Sequence, residues 1–197
     1  MNRRIFALLL LAAPLMTGCG YNKIQSLTQE VDAAQGNIQT QLQRRADLIG
    51  NLVNTVKGYA AHEEAVFTQV TAARASVGSA VKSGDATQMA NADAAMTGAI
   101  SRLLVVAEAY PNLKADAQFM RLQDELAGTE NRIATSRTDY NGAVKTYNTT
   151  ITQFPTVLTA KATGAKPKPY YEATSANANT APTVDFSKTA PPTTKRP

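Results

Sequence analysis

The chain has no tryptophan, one cysteine and one histidine among its 197 residues, and each shortage removes a class of chemistry. Cys19 has no partner within the chain, so no intrachain disulfide is possible. The lone His62 stands in Ala61-His62-Glu63-Glu64, which resembles the opening of a zinc-protease helix. The second ligand must follow four residues on, and Val66 occupies that position. A di-iron helical bundle needs Glu-x-x-His on two helices, which one histidine cannot supply. G-x-S-x-G, P-loop and dinucleotide-binding glycine patterns are also missing. Scattered Ser and Asp residues have no neighbouring base to activate a nucleophile. The sequence therefore predicts no enzyme, no cofactor and no metal site.

Aromatic residues make up only 6% of the chain, while Ala, Thr, Gln and Asn abound. That composition suits helices packed through small side chains better than a thick sandwich core. The net charge is +5 and the pI about 9.4. The basic residues do not gather into the stripe that nucleic acid requires, so no nucleic-acid partner is expected.

Residues 1–19 read as a lipoprotein signal. Arg3 and Arg4 form a positive start, and Ile5 to Leu15 an apolar run too short to span a bilayer comfortably. Small residues in Met16-Thr17-Gly18 then precede Cys19, as lipoprotein processing requires. Cleavage would remove residues 1–18, leaving 19–20 as an anchored N-terminus. The Cys19 sulfur would carry a diacylglycerol and its amine a third acyl chain such as palmitate, enough for stable anchoring. Gly20 is not the Asp that would favour inner-membrane retention, so the periplasmic face of the outer membrane is expected in a Gram-negative cell.

From Tyr21 onward apolar residues recur every seven, the signature of long helices packed along a shared seam. Ile24, Val31, Ile38, Arg45 and Leu52 form a first row. Gly50 interrupts it and predicts a kink or tight turn, the spacing fitting either a bent helix or a chain reversal. A second helix carries Val56, Glu63, Val70 and Val77 in one row, with Val53, Ala60, Phe67, Arg74 and Val81 in the other, and ends near Gly84. Asp85 and Gln88 form a plausible capping box for a third, with Met89, Met96, Leu103 and Tyr110 in line until Pro111. Asn112 is then placed to cap a fourth helix of about 40 residues. Its apolar row is Phe119, Leu126, Ile133, Tyr140, Tyr147 and Phe154, and Pro155 closes it. Residues 21–155 are thus expected to form the helical domain. Residues 156–186 should be an irregular tail in which Tyr170, Tyr171, Val184 and Phe186 are apolar enough to dock back. Residues 187–197, SKTAPPTTKRP, should be disordered.

These segments resemble the LemA protein family. The likeness is carried by QLQRRADLIGNLVNTVKGYAAHE at 41–63, LLVVAEAYPNLKA at 103–115 and LQDELAGTENRIATSRTDYNGAVKTYNTTITQFP at 122–155, with KPYYEATSANANTAPTVDF at 168–186 in the tail. Gly50 stands where that family commonly has Pro, and Gln35 where a Trp is common. A lipoprotein signal replaces the family's usual N-terminal transmembrane helix. The resemblance implies an all-α fold, an antiparallel four-helix bundle at the cell envelope, which favours a reversal at Gly50. It implies no reaction.

Charged residues on apolar rows are the sequence's main anomaly: Arg45, Glu63, Arg74, Glu130 and Arg137. Buried charges must be paired, so these residues are expected to form a buried polar network that fixes helix register. The sharper alternative is a recess for a partner or small ligand. The paired Tyr140-Asn141 and Tyr147-Asn148 are read as seam-filling tyrosines whose asparagines bridge to a neighbouring helix. Two functions compete. One is a lipid-anchored interaction or scaffold module that engages another envelope protein. The other is a carrier of an apolar or amphipathic ligand in a cavity lined by Met89, Met96 and Met120.

Overall fold

The computed structural model of the chain describes the backbone of residues 2–60 and 62–172, with side chains from Gly20 onward. These residues are all-helical, without a strand. The elements are α1 (Asn2–Lys57), α2 (Glu64–Ser83), α3 (Ala86–Glu108), a short α4 (Pro111–Lys114), α5 (Ala117–Thr152) and α6 (Thr156–Thr163). No described helix is long and apolar enough to cross a membrane.

α1 and α5 are the frame. Arg45 meets Glu130, and the Tyr59 hydroxyl donates to Asp116 at 3.0 Å, so the two helices run in opposite senses in constant register. The apolar rows face this contact: Ile24, Val31, Ile38 and Leu52 from α1 are buried against Ile133, Tyr140, Val144 and Tyr147 from α5. Each fully buried aliphatic side chain contributes about 2 kcal/mol before entropy is counted. The α2–α3 hairpin packs mainly on the far half of α1. Its turn is held by Gln35, whose amide donates to the Gly84 carbonyl at 2.6 Å. Gly84 ends α2 in the left-handed region, at φ 66, where a Cβ is strained. The Gln35 amide thus fastens the hairpin to α1.

Several expectations need correction. Gly50 is neither a turn nor the end of a helix: α1 continues to Lys57, and the chain turns back between Lys57 and Glu64. Gly50 instead faces α2 from within the helix, with the movable Arg74 guanidinium 3.0 Å from where a Cβ would stand. Pro111 does not stop the third helix, which already ends at Glu108; it opens α4 at the position where a missing N–H costs nothing. Asn112 does not cap the long helix. Asp116 does, its carboxylate accepting from the backbone N–H groups of Gln118 and Phe119. Asp85 caps α3 as expected, accepting from Gln88 N at 2.7 Å. Phe154 leaves its predicted row and is 80% exposed, because α5 ends two residues earlier.

Candidate functional site

Arg45 organises the interior. Its side chain leaves α1 at a heptad position and is buried, so its charge needs partners there. One terminal nitrogen donates to Asp93 Oδ1 on α3 at 2.6 Å, and the other to the Thr97 hydroxyl at 3.1 Å. The second nitrogen also pairs with Glu130 on α5 at 2.6 Å. One guanidinium thus ties three helices. Asp93 is buried too, and burial pushes its carboxyl above the usual range, the adjacent Arg45 only partly offsetting this. The planar fork of arginine fits this task in a way that lysine does not.

Arg137, two turns beyond Glu130 on α5, is half-buried and holds its guanidinium 5.3 Å from the centre of the Tyr171 ring. Tyr171 belongs to the tail, not to a helix, and is only 2% exposed. Its hydroxyl is buried without a hydrogen-bond partner. Burial raises its pKa well above the ordinary tyrosine value, with the charge of Asp93 adding to the effect.

The tail reaches this position along a ladder on α5. Asn148 accepts from Lys168 N at 2.8 Å and donates to the Lys168 carbonyl at 2.9 Å. Asn141 repeats the pattern with Tyr171, at 2.8 and 3.4 Å. Tyr140 donates to the Pro169 carbonyl at 3.0 Å. Two helical turns rise about 10.5 Å and three extended residues span about 10 Å, so asparagines seven apart meet tail residues three apart. The asparagines therefore bridge to the tail, where a neighbouring helix was expected. Both tyrosines fill the seam as expected, being 2% and 4% exposed.

The five residues singled out from the sequence are not one cluster. Arg45 and Glu130 pair, and Arg137 lies next to them through Tyr171. Glu63 is half-buried where α2 begins, and Arg74 is exposed over Gly50. Asp93, which completes the centre, was missed. The signal was present: Ala86, Asp93, Ile100 and Ala107 form a second row on α3, every member buried. Cys19, Val184, Phe186 and segment 187–197 lie outside the residues whose side chains are described.

Met89 and Met96 are fully buried in the continuous core and Met120 is exposed, so no methionine-lined cavity supports a ligand carrier. No group of His, Cys, Asp or Glu among the described residues is arranged to hold a metal. A surface depression of about 700 Å³ lies along α2 between Lys57, Glu64, Phe67, Thr71 and Ala75.

A sequence profile described as the LemA family matches residues 34–186. Two proteins of Paramagnetospirillum magneticum, named magnetosome protein MamQ 1 and MamQ 2, are each 30% identical over 175 residues, covering 77% of this chain and 64% of theirs. Magnetosome protein MamQ of Magnetospirillum gryphiswaldense is 27% identical over 174 residues, with the same coverage. The chain thus spans slightly less than two thirds of the length of these curated relatives.

Proposed function

The chain belongs to the LemA family, and from that premise we propose that it is a non-catalytic interaction module of the cell envelope, anchored by acylated Cys19 to the periplasmic face of a membrane, the outer one in a Gram-negative cell. Helices α1, α2, α3 and α5 serve as an antiparallel four-helix bundle, and an envelope protein is the partner. The observation that carries this reading is how the charges are used. Arg45 pairs with Asp93 inside the domain and with the half-exposed Glu130 at its edge, which makes them register-setting ties and leaves the outer helix faces for recognition. The role named for the magnetosome relatives remains theirs; what supports the present reading is the shared helical segment and the N-terminal signal pattern.

Two measurements test it. Labelling cells with an alkyne fatty acid should mark the protein, and Cys19→Ala should abolish the mark; unchanged incorporation would refute the anchor. Affinity capture from detergent-solubilised envelopes should recover a stoichiometric protein partner. Recovery of lipid or a small molecule without protein would favour a carrier instead.

A further inference from the structure

The α1–α5 register that joins Arg45 to Glu130 and Tyr59 to Asp116 brings Phe154 level with Tyr21 at the end of the frame where α1 emerges from its N-terminal segment. α6 sits at the same end, its Thr159 side chain so close to Gly20 that an added Cβ would lie 2.8 Å from the hydroxyl. This end exposes large apolar side chains together: Phe154 is 80%, Leu158 61% and Tyr21 46% exposed. Tyr59, Val105 and Met120 are exposed towards the other end as well, but an aromatic pair and a leucine at one level beside the N-terminal segment suit the bilayer interface.

Charge at the outermost level is of one sign. Residues 20–29 carry Lys23 and residues 146–167 carry Lys161 and Lys166, without an Asp or Glu in either stretch, while Glu30 and Asp32 enter at the level of Lys145 and Lys168. Lys168 is engaged with Asp32, while Lys23, Lys161 and Lys166 are exposed. The apolar run Ile5–Leu15 and Cys19 lie on the same helix directly before Gly20, so whatever ties that segment to a membrane brings this face to it.

We infer that the α5–α6 corner is a membrane-contacting surface: Phe154 and Leu158 insert at the interface of an anionic phospholipid bilayer while Lys23, Lys161 and Lys166 meet its headgroups. This rests on the proposed N-terminal anchoring and adds a second, non-covalent point of attachment, which fixes the orientation of the domain rather than its location. Lysines beside an anchor act in this way on anionic membranes, and the effect is screened by salt.

The absence of tryptophan makes the test direct. Full-length protein carrying Phe154→Trp, Leu158→Trp or, as a control at the opposite end, Val105→Trp is reconstituted by its anchor into vesicles of phosphatidylcholine and phosphatidylglycerol. The vesicles contain lipid spin-labelled near the headgroup. Tryptophan at 154 and 158 should shift to the blue and lose most of its emission to the quencher, and tryptophan at 105 should keep it. Adding Lys161→Gln and Lys166→Gln, or raising the salt, should reduce the quenching at 154. Protein that floats with the vesicles but shows equal emission at 154 and 105 would overturn the surface and leave the anchor standing. Protein that does not float would overturn the anchor, and this surface with it.

Discussion

Arg45 and Asp93, forty-eight residues apart in the chain, meet at 2.6 Å with both side chains buried. Because each is the other's main compensation, removing one strands a charge where water cannot reach it. Arg45→Leu should lower stability by about 3–5 kcal/mol, the usual cost of breaking a buried pair. Arg45→Leu with Asp93→Leu should recover much of that loss, and a double-mutant cycle by thermal denaturation measures the coupling. An additive double variant would refute the pairing. Arg137→Leu, half-buried and facing an aromatic ring, should cost only about 0.5–1 kcal/mol.

Gly50 tests the continuity of α1. The atoms nearest to a Cβ there are the tip of the flexible, exposed Arg74 side chain, which can swing away. Gly50→Ala should therefore stabilise by up to about 1 kcal/mol through helix propensity. A fall in the melting temperature would indicate that the chain bends at this position.

The asparagine ladder predicts how the tail is released. Asn141→Ala or Asn148→Ala each leaves one backbone N–H and one carbonyl of the tail unpaired, at a cost of about 1–3 kcal/mol. Limited chymotrypsinolysis should then cleave after Tyr170 or Tyr171 faster than in the wild type, while the melting of α1 and α5 changes little. Equal cleavage rates would mean that the side chains do not hold the tail.

Tyr171 makes that docking sensitive to alkali. Its folded pKa is raised by burial, so its contribution is complete below the ordinary tyrosine value near 10 and declines as pH rises above it. Tail release followed by proteolysis should accelerate above about pH 10, and less so in Tyr171→Phe. Since the hydroxyl has no partner, Tyr171→Phe at neutral pH should change stability by less than about 0.5 kcal/mol. A larger loss would show that the hydroxyl is bonded.

The heptad rows were legible because burial repeats with the helix: Ile24, Val31, Ile38, Leu52 and Phe119 through Tyr147 sit where their spacing put them. Arg45 and Glu130 were also visible, since a charge in an apolar row is conspicuous. Asp93 was hidden among alanines, whose rows are faint because Ala is at home both inside and outside a helix. The spacing left a bend and a reversal open at Gly50, and the family resemblance favoured the reversal. The reversal falls instead between Lys57 and Glu64; a glycine facing another helix and one in a turn look alike locally. What separates them is the Arg74 guanidinium, twenty-four residues away. The ladder was out of reach for a similar reason. Asn141 and Asn148 announced a polar partner, and only the tail's return along α5 supplied it.

The α2–α3 hairpin begins at the level of Gln35, which is about 22 Å along α1 from Gly20, and the depression beside Lys57 and Phe67 lies some 50 Å along. α1 is therefore a ruler. On a chain held at Cys19 as proposed, a partner gripping α2 must itself rise to that height, so shallow membrane proteins are passed over. Inserting or deleting two whole heptads in α1 and α5 together would change the height while keeping the packing, and with it the set of proteins within reach.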